Sequence, residues 1–517
     1  MKIDMKKMNI GAFVVSGGLL LAASGCTESD FDSKYEDPSK VNQVTISNLM
    51  VGVFQKVKDY DVYEYGRFFG FDSQFVGKYA QTFGYSYSGG MYSPGYTPAI
   101  DGQWDNLYSA LTQYRKMESL YNEENDTQKA QDEAFMLAAK VQLYDFFAAT
   151  VDIFGDMPFS KACTLPLTND VNGSYAPYDK AEDIYRTILG ELKEIAPRFR
   201  LVTVPKNFST QDFINLGNME KWERYANSLR LRLAMRVATQ GVLQEEGRAA
   251  IKEMLENPAG YPLIEEQENN IFIINQKSGQ LNFTAGSGLG DWTTNRLASG
   301  AIIDRMLSHG NYDMNSSDPQ SGVYIKGEDD PRILLNYNPV SITNRQTGQI
   351  DEHRYLGTDL TVADELTEYY NAQAQDEVNT ANKGFSQITQ RGFFWENDKF
   401  DMLIMTSPEI HFLKAEAYAM GYGVTQDMSK AEEEFKTAVS QSVTLYYYYD
   451  SIGSGENCRR YDAPASEEIA DLPMQNGTVL RMRTSWMPSL RKNGCTSVFL
   501  PAARHGATSA VQVTPQD

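Results

Sequence analysis

A chain of 517 residues with 68 acidic against 47 basic side chains carries a formal charge of −21, which argues against nucleic acid as a partner, because phosphate binders gather Lys and Arg on one face. Past Cys26 only Cys163, Cys458 and Cys495 remain, an odd and widely spaced set, so no disulfide framework is indicated and stability has to come from packing. The length allows several cores without choosing between one large domain and two or three, and 31 Tyr, 25 Phe and 5 Trp supply rings of the kind that adaptable contact surfaces use.

At the start of the chain Lys2, Lys6 and Lys7 precede an apolar and small stretch from Ile10 to Ala23. It is too short and too glycine-rich to span a bilayer but suits a secretory core. Ala23, Ser24 and Gly25 directly before Cys26 resemble a bacterial lipobox, so residues 1–25 are expected to be removed as a signal peptide and Cys26 to be acylated. Several acyl chains hold a protein at a membrane where one is marginal. No later apolar run is read as long enough to span. Residues 26–43 are acidic and polar without periodicity and form a flexible tether.

Helices are predicted from there on. DEAFMLAAKVQLYDFFAATVDIF is apolar around nearly its whole circumference, with Phe135, Leu137, Val141, Tyr144 and Phe147 among the rings and branches. That pattern marks a buried central helix, ended by Gly155 with Pro158 beyond. In YDKAEDIYRTILGELKEI, Ala181 stands four residues before Tyr185, and in MSKAEEEFKTAVSQSV, Ala431 stands four before Phe435. Both share the small-then-aromatic spacing of a tetratricopeptide helix pair. KWERYANSLRLRLAMRVA sets Trp222, Ala226, Leu229, Leu233 and Val237 on one face, with Arg224, Arg230, Arg232 and Arg236 off it. PEIHFLKAEAYAMG places Leu413, Ala417 and Met420 together and stops at Gly421. Segments near 82–98, 270–297 and 337–400 are rich in Gly, Asn and Tyr and too long for turns, so they are expected to carry function.

The residue types of an enzyme are sparse. His309, His353 and His411 stand singly, and neither H-E-x-x-H nor a cysteine pair at zinc spacing occurs. His411 reads as a hydrogen-bonded packing residue. GSGLGD from Gly286 has the wrong glycine spacing for a phosphate loop. DMNSSDPQ from Asp313 lacks the glycine and glutamate of a calcium loop. Glu328, Asp329 and Asp330 read as a solvated turn before Pro331, since a glycosidase pair is defined by a separation in space. No catalytic residue, metal or cofactor is predicted.

Taken in order, the lipobox, YEDPSKVNQVTISNLMVGVF, QWDNLYSAL, VDIFGDMPFSKA, PYDKAEDIYRTILGEL, KWERYANSLRLRLAMRVA, DDPRI and EIHFLKAEAYAMG resemble the SusD/RagB-like outer-membrane lipoproteins of Bacteroidetes. The resemblance implies a mostly α fold over residues 44–471, with four tetratricopeptide-like helix pairs as scaffold and long irregular loops carrying the ligand surface. It also implies a lipid-anchored, non-enzymatic protein on the outer face of the outer membrane. There it would capture glycans, or in some members peptides, and act as a lid on a SusC-type TonB-dependent transporter. Glu28, Asp30 and Asp32 resemble the surface-export signal of such lipoproteins.

Within that frame FGYSYSGGMYSPGYT sets Tyr85, Tyr87, Tyr92 and Tyr96 on a loop before a helix opened by Trp104. Sugar rings offer C–H faces to aromatic planes, so the loop suits saccharide capture; folding of the same rings back onto the helices is the equal alternative. Trp292, and Trp395 beside Phe393 and Phe394, are further candidates that read first as core.

Residues 472–517 break the pattern, with no Asp or Glu from Leu472 to Gln516. The ending implied by the resemblance, Q-K-W and later R-R-T-G-Y-P, is absent. Read one frame off, the pairs from Arg491 to Gly494 permit Gln, Lys and Trp, and those from His505 to Pro515 permit a tryptophan and then the missing R-R-T-G-Y-P. A frameshift between about Ala470 and Arg481 is therefore inferred, with a tail never selected to fold.

Overall fold

The computed structural model describes residues 44–61, 84, 97–171, 175–274, 297–344, 347–358, 384–388, 397, 399–453, 461–466 and 468–469. The leader, Cys26, the tether and the tail from 470 onward lie outside the described residues.

Among the described residues three helices come first. Helix α1 (Ile46–Asp61) turns Met50, Val53, Phe54 and Val57 to one side at helical spacing. They pack on α2 (Thr97–Glu123) and α3 (Asp126–Phe154). The short link between α2 and α3 carries a capping box in which the Asn125 side chain accepts from the Gln128 backbone while the Gln128 side chain answers to the Asn125 N–H. Helix α3 is buried on all sides from Ala134 to Val151 and stops at Gly155, whose φ of 74° a side chain would resist. By length and composition α3 could cross a membrane, contrary to the expectation that no such run follows the leader. Its most apolar stretch is 94% buried inside the protein, which makes it the core helix its pattern predicts.

A four-residue turn, α4 (Leu165–Thr168), leads to α5 (Ala181–Ile195), where Ile184, Tyr185, Ile188, Leu189 and Leu192 form the buried stripe. After a 3₁₀ turn and α6 (Phe208–Gln211) comes α7 (Met219–Val237). Asp212 prepares this entry by accepting from the backbone N–H groups of Ile214, Asn215 and Gly217 and from the Trp222 indole at 2.8 Å. Helix α8 (Gln244–Glu256) packs against α7.

The apolar face expected on α7 is present, but its arginines are not a solvated opposite face. Arg232 donates to Glu409 Oε1 and Oε2 at 2.6 and 2.9 Å, to Asp145 at 3.4 Å and to the Ile404 carbonyl at 3.3 Å, with all three charged side chains buried. Tyr225 completes the group by donating to Asp145 at 2.6 Å. Burial works against the Arg232 charge, yet Glu409 and then Asp145 more than restore it and hold its pKa above the usual arginine value.

The C-terminal hairpin is α11 (Ser407–Met420) and α12 (Met428–Ile452), joined through Gly421 in the left-handed region and capped by Asp427. Phe412 and Phe435 meet edge to face at 5.2 Å, the contact that the small-then-aromatic spacing predicts. Leu413 and Met420 are only partly buried, because α11 is enclosed on most sides and the burial is carried by Ile410, His411, Phe412, Ala415, Ala417 and Ala419. His411 is buried with both ring nitrogens partnered, by Glu434 at 2.5 Å and the Glu265 carbonyl at 2.9 Å. The acidic turn departs from expectation. Asp329 and Asp330 are buried, not solvated: Asp329 accepts from the N–H groups of Ser308 and Ile325, and Asp330 grips Arg332, which reaches Ser442 on α12.

Between the helical blocks lie α9 (Gly300–Met306), α10 (Arg332–Asn336) and three antiparallel ribbons. These pair β1 (Ile271–Ile273) with β6 (Met402–Met405), β2 (Tyr337–Asn338) with β5 (Gln387–Ile388), and β3 (Val340–Thr343) with β4 (Ile350–Arg354). Beside β3 a second, small core gathers Leu297, Tyr312, Met314, Val340, Ile342, Leu356 and Phe385, while the buried residues of the other two ribbons join the helical core.

Arg232→Met should lower the unfolding free energy by about 3–5 kcal/mol, because Asp145 and Glu409 are left buried without their cation; urea denaturation measures it. A second expectation concerns Glu253. Burial pushes its carboxyl up, but hydrogen bonds from Lys193, Tyr261 and Arg230 outweigh this and hold it at about 2 against 4.5. A depressed folded pKa contributes stability above the unfolded value and loses it on acidification. The destabilisation by Glu253→Gln should therefore be full above pH 4.5 and fade towards pH 2.

Candidate functional site

The small core supports a junction made of main chain. Ala298 sits between two segments, donating to the Ser386 carbonyl and accepting from the Thr358 N–H, both at 2.8 Å. Leu297 bridges to Gln387, Gly300 donates to Thr358, and Ser386 donates to Leu356. The Asn311 side chain ties Gly357 from both directions, donating to its carbonyl at 3.1 Å and accepting from its N–H at 2.7 Å. Gly84 closes the group with a hydrogen bond to the Leu297 carbonyl at 2.9 Å.

This junction collects the predicted ligand segments by their roots. Tyr85 is bonded to Gly84 and Trp292 precedes Leu297 by five residues, whereas Trp395 stands seven residues after Ile388 but only two before Asn397, whose amide donates to the Tyr449 carbonyl on α12. Tyr85, Tyr87, Tyr92, Tyr96, Trp292 and Trp395 themselves lie outside the described residues, as do Phe393 and Phe394. Trp104 stands elsewhere, on α2. The helix does not open at Trp104 but at Thr97, about two turns earlier. Its half-buried indole packs on Tyr108 at 4.9 Å and on Phe154 at 5.0 Å. Below that cluster the Tyr108 hydroxyl donates to the Pro158 carbonyl, and Asp179 accepts from the Phe159 and Ser160 backbone, which pins the turn after α3. Tyr175 and Tyr178 nearby in sequence are exposed.

Gly84, Asn311, Thr358 and Ser386 were not singled out by the sequence. Their signal is weak, because a backbone junction between segments remote in the chain leaves no periodicity to read. Among the described residues no three His, Cys, Asp or Glu side chains are grouped as metal ligands. His309 pairs with Asp318 at 2.7 Å, and Asp329 and Asp330 have their oxygens engaged by the protein.

Residues 38–461 match the SusD-like family described as starch-binding associating with outer membrane. The chain belongs to this family. Its SusD-like fold is similar to that of a chitin-binding protein, at 19% identity over 86% of this chain and 85% of that one, with a TM-score of 0.57. A SusD/RagB family protein from Bacteroides thetaiotaomicron is similar at 14% identity over 90% and 86%, with a TM-score of 0.56. A chitin-binding SusD homolog from Flavobacterium johnsoniae is similar at 14% over 89% and 85%, with a TM-score of 0.52. At such identities the likeness is one of fold. No curated protein matches the chain. The mostly helical SusD-like architecture expected from the sequence is thus the one observed.

Asn311→Asp replaces the donor to the Gly357 carbonyl with an oxygen. The variant should lose about 1–3 kcal/mol, the penalty of an unpaired buried polar group, in a denaturant titration followed by hydrogen exchange at residues 355–358.

Proposed function

We propose that this SusD-like protein is a non-catalytic nutrient-binding lipoprotein of the cell surface. It captures glycans and serves as a lid for a SusC-type TonB-dependent transporter. Cys26, acylated after removal of residues 1–25, holds it in the outer membrane, and residues 26–43 give the tether its reach. The observation that carries the reading is that Gly84, Leu297 and Gln387, which border segments rich in aromatic residues, meet at one main-chain junction in a chain of this family. Two similar solved proteins are named as chitin-binding, which supports a polysaccharide as ligand. Tyr85, Tyr87, Tyr92 and Tyr96 are the proposed stacking residues, with Trp292 and Trp395 as the second and third candidates for ligand contact. The exposed face of Trp104 is a separate contact.

Calorimetry of the purified protein against plant, host and microbial glycans should find at least one binder, and pull-down from solubilised membranes should recover a large β-barrel transporter. Bound peptide in place of sugar, read by mass spectrometry, would assign the same architecture to peptide capture. Changing Tyr85 and Tyr92 to Ala should weaken glycan binding by about 1–3 kcal/mol with little loss of stability. Trp222→Ala, in the fully buried aromatic cluster of α7, should instead cost about 3–5 kcal/mol of folding free energy. Tyrosine variants that unfold like the Trp222 variant, yet keep their affinity per folded molecule, would make the loop a structural element and defeat the platform.

A further inference from the structure

We infer that Gly84 is the positioning residue of a cooperative main-chain latch, formed with Leu297, Ala298, Thr358 and Ser386, that sets the proposed glycan surface; the second half of this inference rests on the glycan-binding reading above.

A Cβ at Gly84 would lie 2.1 Å from the Ala298 carbonyl oxygen, 2.3 Å from Thr358 Oγ1 and 2.8 Å from the Ala298 carbonyl carbon. Two of those three atoms are backbone, so no change of rotamer relieves the overlap. The glycine is required here for close approach of one chain segment to another, not for an unusual turn. Its N–H is spent on Leu297, one residue before the carbonyl it presses against.

Cooperativity follows from how the polar groups are shared. Ala298 is fully buried, and both of its backbone groups are satisfied by other segments, the carbonyl by Thr358 and the N–H by Ser386. Thr358 in turn accepts from Gly300, while Ser386 donates to Leu356 and its hydroxyl accepts from the Leu356 N–H at 3.0 Å. Displacing one member leaves buried N–H and C=O groups unpaired on the next, so the members are expected to open together. Leu297, Leu356 and Phe385 belong to the small core while Ala298 packs with the helical one, so the latch lies where the two cores meet, and helices α3 and α7, held by the larger core's own contacts, need not open with it.

The experiment compares the full chain with its Gly84→Ala variant by hydrogen exchange, by thermal unfolding and by affinity for whichever glycan the unmodified protein binds. Gly102→Ala is the control, since a Cβ there meets nothing within 4 Å. In Gly84→Ala the amides of Ala298, Gly300, Thr358 and Ser386 should lose protection together by about tenfold or more, the scale of one lost buried hydrogen bond. Helices α3 and α7 should keep theirs, and glycan affinity should fall by at least about tenfold. Gly102→Ala should leave all three readouts unchanged. Should Gly84→Ala fail to fold, Ser386→Ala removes the acceptor of the Leu356 N–H without adding bulk, and the same amides should open. Exchange confined to the neighbours of Gly84 would overturn the latch. Joint opening with unchanged glycan affinity would overturn its positioning role. If no glycan binds the unmodified protein, it is the functional reading that fails, and the exchange pattern still decides whether the latch exists.

Discussion

The buried guanidinium of Arg232 is the constraint on which the helical architecture depends. A cation taken out of water is tolerated only where carboxylates and carbonyls surround it, and around Arg232 these come from α3, from α11 and from strand β6. Asp145, Arg232 and the stretch holding Ile404 and Glu409 are remote from one another in the chain, so satisfying one side chain fixes the central helix, α7 and the C-terminal hairpin relative to each other. Other arginines of α7 extend the device outward. Arg224 donates to the Leu263 carbonyl, Arg230 pairs with Glu253, and Arg236 pairs with Asp152. The helix acts as a hub with charged spokes.

The lobe around residues 297–358 and 384–388 is held differently. Part of it joins the helical core, its own small core gathers seven side chains among the described residues, and its segments are joined mainly by main-chain hydrogen bonds. Regions with few buried apolar contacts open at lower free energy than a large core, and recognition surfaces are commonly drawn from them. A junction built from backbone atoms has a further consequence. It places few demands on the side chains of the loops that leave it, so ligand contacts can vary while the geometry of the loop roots is retained. The helical core offers no such freedom, since Trp222, Phe54 and Phe199 stack there at ring separations of about 6 Å.

Individual residues show where sequence reading succeeds. Phe135 to Phe147 announce a core helix because an all-round apolar pattern has one stable solution in a globular protein. Ala431 and Phe435 announce a helix pair because small and large residues must interdigitate at helical spacing. Asp330 illustrates the opposite case: an acidic residue before a proline is ordinarily solvated, and nothing local reveals that Arg332 and then Ser442 complete its burial. The ribbons escaped notice for a related reason, since strands of two to five residues are too short to show alternation.

What the sequence determined by itself was the main core helices, the glycine stops of two of them, the family they belong to and the segments rich in aromatic residues, because each of these is written in spacing along a single stretch of chain. What only the tertiary structure decided was partnership. Arg232 is a core ion and not a surface charge because Asp145 and Glu409 arrive from elsewhere. Gly84 is indispensable because a carbonyl more than two hundred residues away occupies the space a Cβ would need. Such facts depend on distances between remote segments, which are a property of the packed chain and not of any window of it.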